Sequence, residues 1–241
     1  MKIYTYYEKI NNHHDKYQLE NIKLWKLSWE KRGFDTIILD HRNFFTSDFA
    51  HSFIYDISSI HKLITGNEIS HYGLSCYNRW LAYSTISSDE DFYVSDYDVI
   101  NKNFNYQKIQ CHNERPAFLD YCCPCLAYGK PSYFLNFCND IIKISKQYLD
   151  TIKQEFLNNE KSRSYHDQDF LLLNHSRAGY KLVNPGDYVC LYKHENKYIK
   201  NCKTIHVANK AVGDAMGEFE KFKNIEHEQL RIDFMKELIG Y

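Results

Sequence analysis

No apolar run in this 241-residue chain comes near the roughly 20 residues that a membrane-spanning helix needs, and the opening MKIYTYYEKI lacks the basic-then-apolar layout of a secretory signal. On that ground the chain reads as cytoplasmic, with no transmembrane segment. An excess of one charge is also missing. Lys and Arg total 30 against 31 Asp and Glu, a formal net charge of -1, so no global field draws the chain to nucleic acid or to an anionic membrane. Nucleic-acid binding through the many aromatic rings would need a basic patch that is absent. Glycine (9) and proline (4) are scarce, and no stretch is rich in Gly, Pro or Ser. Without a linker, an internal repeat or a low-complexity segment, one domain over 1–241 is expected. What the chain does have is 44% hydrophobic residues, 16% of the total being aromatic, which is ample for a packed core.

Cysteine is plentiful, yet its pattern is unhelpful to a zinc reading. Cys111, Cys122, Cys123 and Cys125 with His112 form the densest group among eight cysteines, but structural zinc takes well-separated pairs of ligands and this cluster has no clean second pair. Reduced, buried thiols are the expectation.

The apolar pattern alternates between two periods. Ile3 to Tyr7 is β-branched and aromatic and reads as a buried strand. From Tyr17 to Arg32, Leu19, Ile22, Trp25 and Trp29 recur every three or four residues, and Gly33 stands where a helix C-cap belongs. Phe34 to Leu39 is strand-like and ends in Asp40. Strand, helix, strand in this order opens a doubly wound α/β sheet. A second helix is expected over Ser70 to Ile86, a short strand over Asp91 to Val94, and one long amphipathic helix through Phe134, Phe137, Ile141, Tyr148, Ile152 and Phe156. Strands at Tyr180 to Val183 and Tyr188 to Tyr192 and a final helix from Glu218 to Leu238 complete the reading.

Three segments carry candidate chemistry. Asp96 and Asp98 stand two apart directly after the apolar strand Phe92-Tyr93-Val94. Ligands of open α/β sheets bind beyond the carboxyl ends of strands, and carboxylates there suit a hard cation such as Mn²⁺ or Mg²⁺ bridging a diphosphate; a solvated turn is the plain alternative. Asp167-Gln168-Asp169 precedes an apolar run, where acidic residues also serve as ordinary helix-start partners. His206, flanked by Ile205 and Val207 and followed by Lys210, is either a core histidine or a third cation ligand, with the lysine near departing phosphate.

Taken in this order, the segments resemble the nucleotide-sugar-dependent glycosyltransferases of the type A fold, especially the glycogenin-like family eight and the family thirty-two enzymes. The resemblance implies an α/β domain with a Rossmann-like, mostly parallel central sheet flanked by helices. It further implies transfer of a sugar from a nucleoside diphosphate donor, a UDP-sugar above all, to an acceptor hydroxyl of a glycan, protein or lipid, with retention of configuration. By position, Tyr4, Tyr6, Tyr7 and Asp40 correspond to the base-binding strand ends, Arg79 to the arginine ahead of the metal strand, and Asp96, Asp98 and His206 to the metal ligands. Asp167, Gln168 and Asp169 correspond to the segment meeting donor sugar and acceptor, and Lys210 to a phosphate contact. Cys76 stands where the family thirty-two pattern has an aspartate, and Asn209-Lys210-Ala211 departs from the family-eight ending. Competing readings are a non-catalytic nucleotide- or glycan-binding member of the fold, and a metal-dependent nucleotidyltransferase or phosphodiesterase.

Overall fold

The structure, a computed structural model, describes residues 1–9, 12–120, 124–158, 165–180, 182, 188–191, 202–208 and 225–241. Its centre is a five-stranded sheet of order β2-β1-β3-β6-β5, built from β1 (Lys2–Tyr6), β2 (Asp35–Leu39), β3 (Phe92–Ser95), β5 (Ala117–Phe118) and β6 (Leu126–Gly129). β1 pairs in parallel with β2 and β3, while β6 runs antiparallel to both β3 and β5. Four of the five strands therefore point the same way, and the expected mostly parallel α/β sheet is present with one reversed strand.

Alternating side chains bury both faces. Tyr4, Tyr6, Phe92, Val94 and Ala127 join one apolar cluster, and Ile3, Tyr93, Leu126 and Tyr128 join another on the opposite side. This is the two-sided pattern of a sheet covered by helices. The first cluster packs against α2 (Asp48–Thr65), α3 (His71–Ser84), α4 (Pro131–Gln147), α5 (Leu149–Leu157) and α6 (Asp167–Ala178); the second packs against α1 (Asn12–Glu30). A smaller sheet of order β4-β8-β7, from β4 (Val99–Asn101), β7 (Val189–Leu191) and β8 (Thr204–His206), meets α1 and the C-terminal α7 (Ile225–Ile239) in a third cluster.

Helix ends follow the local chemistry. Ser47 and Ser70 cap α2 and α3 by accepting from Ala50 N and Gly73 N. Gly33 closes the first helix at φ +79°, a left-handed conformation that glycine adopts without strain.

Several sequence expectations need correction. The long helix through Phe134 and Phe156 is two helices, because Tyr148 leaves helical geometry (φ -115°, ψ 25°) between α4 and α5; its apolar spacing continues across the break, so periodicity alone could not show it. α2 lies where no element was expected. Tyr180 follows the C-cap Gly179 rather than entering a strand, and Leu182 makes only a bridge to Phe118. Residues 181, 183, 192 and 218–224 lie outside the described residues. Cys190 and Cys202, expected as reduced thiols, form a disulfide joining β7 to the approach to β8, whereas Cys76, Cys111, Cys125 and Cys138 are reduced thiols; Cys122 and Cys123 lie outside the described residues. Among the described residues, no helix is long and apolar enough to cross a membrane.

Candidate active site

The site begins with two tryptophans of α1. Trp25 donates its indole N–H to Ser95 Oγ (2.8 Å), the last residue of β3, and Trp29 donates to Val99 O (3.0 Å), the first residue of β4. Both ends of the segment carrying Asp96 and Asp98 are thus pinned from one buried helix face. Asp96 N also donates to Cys125 O (2.8 Å), immediately before β6.

The register of the small sheet brings in the distant histidine. Val99 pairs with His206 across β4 and β8, and Val207 N donates to Asp98 O (2.9 Å). As a result His206 Nε2 lies 3.4 Å from Asp98 Oδ1. Donor atoms of Asp96, Asp98 and His206 all lie within 4.8 Å of one another. That set of two carboxylates and one imidazole matches what Mn²⁺ accepts. Asp98 Oδ1 is buried and, among the described residues, has only the 3.4 Å contact with His206 Nε2, which leaves room for a cation to complete a carboxylate oxygen that is costly to bury poorly paired. The residues present fit a divalent ion.

Two arginines hold these carboxylates. Arg79 of α3 donates through Nη1 to Asp96 Oδ1, and Arg231 of α7 donates through Nη2 to Asp98 Oδ2. Arg231 is anchored by Nε–H to Val207 O (2.7 Å) and flanked by Glu228 (3.7 Å). Burial opposes ionisation of Asp98, but His206 and Arg231 outweigh it and hold its pKa down at about 2. Burial pushes the Asp96 carboxyl up, with Arg79 pulling against it and the Asp98 charge adding to the rise.

Asp167, the first residue of α6, sits behind Arg79 with its side chain only 3% exposed. Its Oδ2 accepts from Arg79 Nε (3.1 Å), Arg79 Nη2 (2.5 Å) and Trp80 Nε1 (2.7 Å), and its Oδ1 from Gln168 N (2.9 Å). The Arg79 guanidinium also lies 4.7 Å from the centroid of the Trp80 ring. Burial disfavours the Arg79 charge, but Asp167 and Asp96 overcome it and raise its pKa further. Asp169 accepts from His166 N (2.8 Å) in a cap at the start of α6, and Gln168 is exposed. Cys76 lends its carbonyl to Arg79 Nε (3.1 Å), and burial pushes its thiol pKa up.

The base-binding candidates are spread over a wider area. Tyr6 donates to Glu8 Oε2 (2.8 Å), Tyr7 meets Tyr97 edge-on at 6.0 Å, and Asp40 caps a 3-10 turn and pairs with Arg42. Tyr4 packs edge-on against Phe92 at 4.8 Å and lines a separate cavity of about 560 Å³ with Met1, Asp35 and Lys130. The structure does not bring Tyr4 to Asp96, Asp98 and His206. Lys210 lies outside the described residues.

Two charged residues at the site were missed from sequence. Glu8, two residues beyond the end of β1, also accepts from Asn78 Nδ2 (3.2 Å) and contacts His71 Nε2 (2.9 Å). Burial works against its ionisation, but His71, Tyr6 and Asn78 prevail and lower its pKa. Its place at a strand end, like that of Asp40, was the available signal. Arg231 had a subtler one: with Glu228 it occupies the same buried stripe of α7 as Ile232 and Met235, where a charge needs a partner.

No protein-family model and no curated protein sequence matches the chain. Among solved structures, the galactosyltransferase LgtC in complex with donor and acceptor sugar analogues superposes with a TM-score of 0.50 at 11% identity, over 100% of this chain and 95% of that one. The chain has the type A glycosyltransferase fold. An active-site mutant of LgtC gives the same TM-score at 10% identity, over 100% and 95% of the two chains. A glycosyltransferase involved in glycosylation of the major capsid of PBCV-1 aligns over 98% of both chains at 13% identity, with a TM-score of 0.49. This type A frame puts the carboxyl ends of β1 and β3 side by side, and Glu8 and Asp96 emerge from them.

Proposed function

We propose that this protein is a glycosyltransferase that moves a sugar from a nucleoside diphosphate donor, a UDP-sugar above all, to an acceptor hydroxyl, using a divalent cation held by Asp96, Asp98 and His206. The observation that carries this reading is the convergence of those three side chains within 4.8 Å at the carboxyl end of β3. The LgtC structure holds donor and acceptor sugar analogues on the same fold, which supports the substrate class.

A bound Mn²⁺ or Mg²⁺ supplies Lewis-acid stabilisation of the departing diphosphate. The chain's own residues do the rest. Asp167 fixes Arg79, and Arg79 orients Asp96, so the first carboxylate is set before any donor arrives. Arg231 does the same for Asp98, leaving Oδ1 facing His206. Tyr6, Tyr7, Glu8 and Asp40, at the ends of β1 and β2, border the place for the base and ribose. Gln168, exposed at the start of α6, meets the donor sugar or acceptor, and the reaction proceeds with retention.

The test is a panel of nucleotide sugars with and without Mn²⁺, scored by binding and by release of nucleoside diphosphate. Asp98→Ala should abolish the metal-dependent part of donor binding. Donor binding that ignores both the metal and this substitution refutes the role of the aspartates. Release of nucleoside monophosphate or pyrophosphate instead identifies a phosphodiesterase or nucleotidyltransferase.

A further inference from the structure

His206 belongs to a second group of potential ligands. Asp120 and Cys125 face each other at the loop end of the β5-β6 hairpin, just beyond the backbone pair Leu119 N–Leu126 O (2.9 Å). Their donor atoms and that of His206 also lie within 4.8 Å of one another. Cys125 and His206 are buried, and Asp120 is partly exposed, which leaves a path for an ion. The spacing of densely set cysteines gave no zinc pattern, because the third ligand comes from a strand far along the chain.

We propose that Asp120, Cys125 and His206 form a second cation site, selective for a borderline metal such as Zn²⁺ or Co²⁺, that overlaps the carboxylate site through His206. Three features of these residues point to it. The donor set is thiolate, imidazole and carboxylate, which suits zinc, whereas Asp96 and Asp98 offer the hard oxygens that suit Mn²⁺ or Mg²⁺. Cys125 Sγ donates to Asp120 Oδ2 at 3.4 Å, a spacing that is also close to the roughly 3.5 Å edge of a tetrahedron with zinc–sulfur and zinc–oxygen bonds of ordinary length. Finally, a neutral imidazole has one nitrogen lone pair, the other nitrogen carrying its proton, so His206 serves one set at a time. The thiol proton of Cys125 leaves to solvent as the metal binds. Occupation by zinc therefore removes the nitrogen ligand from the site proposed above. This competition rests on the proposed function, whereas the zinc site does not.

The experiment titrates the full chain with Co²⁺ and Zn²⁺, following the near-ultraviolet thiolate-to-cobalt charge-transfer band, and measures Mn²⁺ binding by electron paramagnetic resonance. The wild type should show the band, and Cys125→Ser should abolish it and weaken zinc binding at least about tenfold, while keeping Mn²⁺ binding. Asp98→Ala should keep the cobalt band, and one equivalent of Zn²⁺ should displace Mn²⁺ from the wild type. Asp120→Asn provides an independent variant should Cys125→Ser fold poorly, and it should weaken zinc in the same way. No cobalt–thiolate band in the wild type, or zinc binding unchanged in the folded variants, overturns the site. A Cys125-dependent zinc site in a protein that never binds Mn²⁺ supports it and refutes only the carboxylate site; simultaneous binding of both ions overturns the overlap.

Discussion

Asp167 offers the sharpest test, because its sequence position suggests contact with substrate while its surroundings describe a buried counter-charge. Its Oδ2 takes two N–H groups of Arg79 and the indole N–H of Trp80, with the side chain 3% exposed. Asp167→Ala strands a guanidinium that is itself only 11% exposed. Removing one partner of a buried pair costs about 3–5 kcal/mol. For a chain of this length that lowers Tm by roughly 6–20 °C. Asp96 retains part of the Arg79 charge, so the lower half of the range is expected. Urea denaturation read by tryptophan fluorescence measures the loss directly, because Trp80 reports on the same contact. Arg79→Met combined with Asp167→Leu should recover part of the stability, since the Arg79 and Asp167 charges are removed together and only the half-buried Asp96 loses a partner. If Asp167→Ala unfolds within about 1 kcal/mol of wild type and only turnover collapses, the carboxylate acts on substrate and the reasoning is wrong.

Trp25→Phe keeps the ring packing but leaves Ser95 Oγ without its indole donor, and should cost about 1 kcal/mol together with a weaker Mn²⁺ affinity, read by calorimetry; unchanged affinity would show that the segment holds itself. Asp98 binds its proton less readily when folded than at the ordinary aspartate value of 3.8. Its ion pairs are therefore fully stabilising above that value and are lost as pH falls through about 2, so Asp98→Asn should flatten the acid limb of a stability–pH curve between those limits. Reducing the Cys190–Cys202 bridge, which spans 12 residues of sequence, should cost about 3 kcal/mol and loosen β8 with its His206. Tm and Mn²⁺ titration with and without reductant check both effects.

The order of the first strand, helix and strand was legible because each has a clean period and a stop: Trp25 and Trp29 at helical spacing, then Gly33. The same pattern could not reveal that the two indole N–H groups reach Ser95 and Val99, since spacing gives a face and not a partner. Asp96 and Asp98 stood out by following an apolar strand. Arg231 did not, because its partner is set by the docking of α7, a contact that local sequence does not encode. Asp167 and Asp169 were visible as acidic residues at a helix start, and Asp169 has that ordinary role, yet the burial of Asp167 against Arg79 depends on how α6 meets α3. Tyr148 shows the converse limit: apolar spacing ran on through a backbone break.

The pairing of Val99 with His206 makes the ligand set a late product of chain assembly. Trp25 and Trp29 pin the ends of the aspartate segment once β3 has joined β1, but Val207 N, Arg231 and the imidazole of His206 reach Asp98 only after β8 and α7 have docked. On the proposed cation site, tight Mn²⁺ binding would then serve as a reporter that β8 has docked, and any lesion that delays β8 would show first as lost cation affinity in a protein whose central sheet is already complete.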